Sequence, residues 1–200
     1  LLDAEAPWVR SDIRPLPSWI TDEPSVKQSI DDGADIVMFS GDKLLGGPQC
    51  GIIAGRSDLI ERCARHPLMR ALRPGHHALV PLQHVLMSYV NRTASDDILF
   101  WKMASTSPND LASRAEKIVA HVGRGEVRES LAVVGAGAAP AATLPSRAVV
   151  VQGDRSGELR RALPFPVIGR VADGYTWIDL RSVDPSDDDN IAQALAALEG

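Results

Sequence analysis

Apolar positions along the chain change their spacing several times, and each change marks an element. In the first 22 residues Trp8, Ile13, Trp19 and Ile20 recur without a period among prolines, which predicts extended or irregular chain. Asp22-Glu23-Pro24 has the chemistry of a helix opening, acidic residues in the first turn with a proline near its first position, and Gly33 supplies the stop. Ile36-Val37-Met38-Phe39 is a continuous apolar run of strand length. Its lack of polar alternation predicts a strand buried on both faces, as in an α/β layer protein. Ile52-Ile53-Ala54 is a second run of the same kind. Helical spacing follows from Ser57, read as a cap, to about Arg65, where His66-Pro67 ends it. A longer helix is predicted from Leu79 to about Tyr89, with Pro81 near its first turn, and a third from Pro108 to Val122 behind a Ser107 cap.

The second half has a different texture. Gly135 to Ala142 is a small-residue loop, and Ala148-Val149-Val150-Val151 is strand-like. Gly157 to Leu163 reads as a short helix. Val167–Val171 and Thr176–Leu180 flank Asp173-Gly174, the strongest hairpin signal in the chain. Ser186 or Asp187 caps a last helix through Leu198, and the run Asp187-Asp188-Asp189 is favourable charge at its start. Strand, helix, hairpin and helix make a compact α+β unit, so the domain boundary falls near residues 95–108.

Composition narrows the class without naming it. The 200 residues are 44% hydrophobic and 24% charged, as in an ordinary globular protein. A net charge of −5 argues against a large nucleic-acid footprint on this piece by itself, since neutralising phosphates takes clustered Lys and Arg. Cys50 and Cys63 show no metal-ligand or disulfide spacing, which favours a reducing, cytoplasmic setting. No apolar run reaches the ~18 residues of a membrane span. The opening at Leu1 in place of Met reads as a cut end.

The segment between the two apolar runs is where chemistry is expected. Ser40-Gly41-Asp42-Lys43-Leu44-Leu45-Gly46-Gly47-Pro48-Gln49-Cys50-Gly51 leaves the end of one buried strand and enters the next. Sites in α/β proteins form at such strand ends, glycines admit a ligand close to the backbone, and a partly desolvated lysine forms Schiff bases. A surface lysine in a flexible turn is the plain alternative. Arg70 and Arg73, three residues apart, read either as an anion clamp or as a solvated basic helix edge. His76, His77 and His84 lack a completing carboxylate or cysteine and are read as surface histidines, so no metal site is expected.

The string from Phe39 to Gly55 closely resembles the cofactor-lysine segment of bacterial selenocysteine synthase, the L-seryl-tRNA(Sec) selenium transferase family. The likeness extends to Asp22–Val26, Gly33-Ala34-Asp35, Leu59–Arg62, His66–Arg73, Thr143–Ser146 and the Gly169–Arg181 hairpin. It implies the C-terminal portion of a fold-type-I pyridoxal-phosphate (PLP) enzyme. Residues 1–105 would be part of the aminotransferase-like α/β large domain with a connecting helix, and 106–200 the small C-terminal α+β domain. Lys43 would bind PLP covalently, Ser40 would meet its phosphate, Asp42 would lie beside the reacting centre, and Arg70 and Arg73 would hold an anionic group of substrate or selenium donor. The implied reaction replaces the serine hydroxyl of seryl-tRNA(Sec) with selenium from selenophosphate, in a homo-oligomer built from dimers. Two departures stand out: Cys50 takes the place of the usual alanine, and Pro74-Gly75-His76-His77 replaces a differently charged stretch. The family's aspartate for the pyridine nitrogen falls upstream of Leu1, so the residues given are expected to bind PLP poorly and to transfer no selenium alone. A related PLP lyase acting on an amino-sugar phosphate or an amino acid, and a non-catalytic truncated remnant, are the competing readings.

Overall fold

The computed structural model describes Leu2–Asp3, residues 24–135, Ala139 and residues 142–199. The irregular run through Trp8, Ile13, Trp19 and Ile20, the Asp22-Glu23 helix opening and most of the loop 135–142 lie outside the described residues. The chain divides into two compact units. The first comprises Leu1–Ser105 with Val134–Ala142, and the second Thr106–Val133 with Thr143–Gly200.

In the first unit, α1 (Val26–Asp31) is capped by Ser25, whose hydroxyl accepts from the Gln28 N–H at 3.0 Å. Pro24, expected near the first helical position, lies just outside the helix, and serine fits the extended cap geometry. A three-stranded sheet follows, β1 (Leu2–Asp3) parallel to β2 (Ile36–Ser40), and β2 antiparallel to β3 (Gly51–Gly55). The expectation that β2 is buried on both faces does not hold among the described residues. Val37 and Phe39 are buried, whereas Met38 between them is 41% exposed. Successive side chains on a strand point to opposite faces, and only the Val37/Phe39 face is covered here.

Helices complete this unit: α2 (Ser57–Arg65), α3 (Met69–Leu72), α4 (His76–Asn91), α5 (Ala94–Asp97) and α6 (Leu99–Ser105). Arg56, not Ser57, is the cap residue of α2, without a side-chain cap bond. The helix α4 starts three residues before the expected Leu79, so Pro81 lies inside it, where one backbone bond of the ladder is lost. It ends at Arg92 in the left-handed conformation, φ 60°. The core gathers Val26, Val37, Phe39, Leu44, Leu45, Tyr89, Ile98 and Trp101.

The second unit is a four-stranded antiparallel sheet in the order β4-β5-β7-β6: β4 (Glu126–Val133), β5 (Thr143–Gln152), β6 (Arg170–Ala172) and β7 (Tyr175–Asp179). Helices α7 (Pro108–Val122), α8 (Ser156–Leu159) and α9 (Asp188–Ala196) accompany it. Val149, Val151, Ile178 and Leu180 meet Leu111, Ile118, Ile191 and Leu195 in one core. Ser107 caps α7, as expected, by accepting from the Asp110 N–H at 3.1 Å. The tip of the β6–β7 hairpin has Asp173 at φ 53° and Gly174 at φ 78°, the double positive φ that Asp-Gly favours. A short 3-10 turn, Pro185–Asp187, precedes α9, and Asp187 makes no side-chain cap bond. Asp188 instead receives Arg114 bidentately, at 2.9 and 2.7 Å, which ties α7 to the start of α9.

Candidate functional site

Ser40 pairs with Gly51 across β2 and β3, so residues 41–50 form the loop that closes one end of this hairpin. The loop is held by its own backbone. The Gly41 N–H donates to the Cys50 carbonyl, the Gly47 N–H to the Gly41 carbonyl, and the Gly46 N–H to the Lys43 carbonyl, each at 2.8 Å. Glycine at 41 is a packing requirement: a Cβ there would stand 2.5 Å from the Pro48 carbonyl oxygen and 2.6 Å from Cys50 Sγ. At Gly46 the requirement is conformational, since its φ is +73°.

The turn is also fastened from below. Leu44 and Leu45 are 0% and 1% exposed, and they insert into the core directly after Lys43. The Tyr89 hydroxyl, on α4, donates to the Leu45 carbonyl at 2.9 Å and accepts from Trp101 Nε1 at 2.6 Å. Two buried aromatic residues from separate helices thus support the backbone that carries Lys43. Asp42 is exposed, while Ser40 and Lys43 are half-buried. Burial pushes the Cys50 thiol above its ordinary range, and the nearby Asp42 carboxylate pushes in the same direction.

Ser40, Asp42 and Lys43 therefore share one constrained turn. Arg70 lies within α3 and Arg73 caps its C-terminus, both exposed in the same unit. Among the described residues neither arginine pairs with a carboxylate, and neither is hydrogen-bonded to the Lys43 turn. Sequence reasoning gave Tyr89 no role beyond the end of a helix. The signal was a tyrosine within an apolar helix, whose hydroxyl needs a buried partner. Among the described residues no group of His, Cys, Asp and Glu is placed to hold a metal ion, and no helix is long and apolar enough to cross a membrane.

The mixed α/β fold has a counterpart of known structure. D-Glucosaminate-6-phosphate ammonia-lyase aligns with a TM-score of 0.52 and 22% identity over 84% of this chain and 44% of that one, a likeness of fold. Residues 16–184 match the family model of L-seryl-tRNA selenium transferase, and the chain belongs to that family. It is 40% identical over 196 residues to the L-seryl-tRNA(Sec) selenium transferase of Moorella thermoacetica, covering 90% of this chain and 42% of that protein. The Edwardsiella ictaluri enzyme of the same name is 39% identical over 81% of this chain and 38% of its own length, and that of Geotalea daltonii 37% over 89% and 41%. The chain thus spans about two-fifths of the length of these curated relatives.

Proposed function

We propose that the protein containing this chain converts L-seryl-tRNA(Sec) to selenocysteinyl-tRNA(Sec) with selenophosphate, using PLP held on Lys43 in a fold-type-I large domain. The observation that carries the reading is the Lys43 turn, a primary amine on a backbone fixed by three internal bonds and by Tyr89 from below. These residues fit the cofactor. Schiff-base formation needs an amine that approaches a carbonyl repeatedly in one geometry. The Ser40 hydroxyl, at the end of β2, suits a phosphate oxygen. When bound, PLP supplies the electron sink for charge at the substrate Cα.

The protein's own residues do the rest. Lys43 Nζ would hold the cofactor and would accept the substrate's Cα proton. Asp42, one residue before it in the same turn, would lie beside the reacting centre. Arg70 and Arg73 clamp an anionic group of the donor or substrate. Assembly as a homo-oligomer of dimers and a cytoplasmic location belong to the same proposal. A lyase acting on an amino-sugar phosphate, the activity in the ammonia-lyase's name, would share Lys43, but the family match over residues 16–184 favours the transferase.

The test is borohydride reduction of the full-length, PLP-loaded protein followed by peptide mapping. The adduct is expected on Lys43, and Lys43→Ala should lose both adduct and turnover. An adduct on Lys27, Lys102 or Lys117 would overturn the assignment.

A further inference from the structure

The mean charge of the chain hides a segregation. Between Glu61 and Asp96 lie 34 residues without a single carboxylate, and they hold Arg62, Arg65, Arg70, Arg73 and Arg92 together with four of the five histidines. The other 166 residues carry the remaining 16 Lys and Arg against all 26 Asp and Glu. The arginines are densest from Arg62 to Arg73, across the end of α2 and all of α3, and all four of them are exposed.

Local structure makes this stretch a defined surface. His66 N–H donates to the Cys63 carbonyl at 3.1 Å, Met69 N–H to His66 at 2.9 Å, Arg70 N–H to Pro67 at 3.2 Å and Arg73 N–H to Met69 at 3.0 Å. Residues 63–73 are thus a run of linked turns, and α2 and α3 touch. The His66 ring is oriented as well: its Nδ1 accepts from the Leu68 N–H at 3.2 Å, which leaves Nε2 as the N–H donor. Helix electrostatics account for only part of the pattern. Arg62 and Arg65 suit the C-terminal turn of α2, but Arg70 and Arg73 lie beyond it, and the first turn of α4, where the dipole favours acidic residues, has none. Only Arg65 has a carboxylate partner among the described residues, the exposed Glu61 at 3.1 Å, and such a pair is weak.

We propose that this surface, Arg62, Arg65 and His66 leading up to the Arg70/Arg73 clamp, docks the sugar–phosphate backbone of the substrate tRNA. Charge complementarity selects the partner: exposed guanidiniums on successive turns, beyond the pair that the clamp uses, match a row of phosphates. The inference rests on the tRNA substrate of the preceding reading. In it Arg62 and Arg65 are positioning residues, outside the Lys43 turn and the Arg70/Arg73 clamp.

The experiment measures binding of unacylated tRNA(Sec) transcript to the full-length holoprotein, by anisotropy over a range of salt. Arg62→Ala/Arg65→Ala should weaken binding roughly tenfold near 0.1 M salt and reduce the slope of log K against log salt by about 1.4–1.8, the share of two phosphate contacts. Arg62→Lys/Arg65→Lys should retain most of the slope. Arg160→Ala/Arg161→Ala, an exposed pair elsewhere, should leave affinity within about twofold. Arginine modification by phenylglyoxal adds a readout independent of the variants, with Arg62 and Arg65 expected to be protected by tRNA. Unchanged affinity and slope in the alanine pair, an equal loss in the Arg160/Arg161 pair, or no protection would each overturn the proposal. A borohydride adduct on Lys43 alongside any of these would leave the cofactor assignment standing. Loss of the adduct with the salt effect intact would do the reverse.

Discussion

The two units stabilise themselves around different things. In the second, the core of Leu111, Ile118, Val149, Ile178, Ile191 and Leu195 joins helices to a sheet face, and the turn at its hairpin tip, Asp173-Gly174, takes its shape from local sequence. In the first, the core is built under a turn. Leu44 and Leu45 follow Lys43 directly, and Tyr89 and Trp101 reach that backbone from α4 and α6. A residue of the first core is therefore also a support for the site, while a residue of the second core holds only the fold.

Matched truncations test that difference most severely. Leu45 and Leu195 are 1% and 0% exposed, and replacing either by Ala should cost about 2–5 kcal/mol through lost contacts and a residual cavity. Denaturant titration should place the two variants close together in stability. Borohydride trapping in native buffer should separate them: Leu195→Ala retains the Lys43 adduct, while Leu45→Ala lowers its yield because the turn has lost an anchor. Equal yields would mean that the Lys43 turn is held by its backbone bonds alone.

The contrast also explains what was legible in the sequence. Helix α7 with its Ser107 cap and the Asp173-Gly174 hairpin could be read because adjacent residues specify them. The Lys43 loop was legible as a string, through its glycines and its family likeness, yet its support was not. The bonds from Tyr89 span 44 residues and leave no mark in either segment alone. The strand β4 was missed because Leu131 and Val133 are 66% and 74% exposed on an edge strand, so its alternation has no buried face to reveal it. For β2 the apolar run was real, but composition could not tell which face would be covered.

Removing a single hydroxyl sharpens the comparison further. Tyr89→Phe keeps the ring in the core and deletes the donor to the Leu45 carbonyl and the acceptor for Trp101 Nε1, at 2.9 and 2.6 Å. The loss should be ~1–3 kcal/mol, the cost of buried polar groups deprived of a partner. Because one of those groups is the Leu45 carbonyl, the variant should also accelerate amide hydrogen exchange at Gly46 and Gly47, while β5 and β7 exchange as before. Exchange unchanged in the loop would return Tyr89 to a packing role.

The smallest effect belongs to the second unit and serves as the reference for the others. Ser107 sits at φ −70°, ψ 147°, accepts from the Asp110 N–H at 3.1 Å and donates to the Asp110 carboxylate at 2.7 Å. Ser107→Ala removes both bonds, but the helix end is exposed, and water satisfies the freed N–H. The cost should be ~1 kcal/mol, the usual worth of a serine cap, and Pro108 at the first helical position still presets the backbone. Exchange should quicken in the first turn of α7 and nowhere in residues 36–55, and the Lys43 adduct should form in full. The Arg114–Asp188 pair, about two turns further on, holds the middle of α7 to α9 independently of the cap. A loss well above 2 kcal/mol would therefore show that fraying at Ser107 propagates past Arg114, and that the second unit is held by its helix end more than by its core.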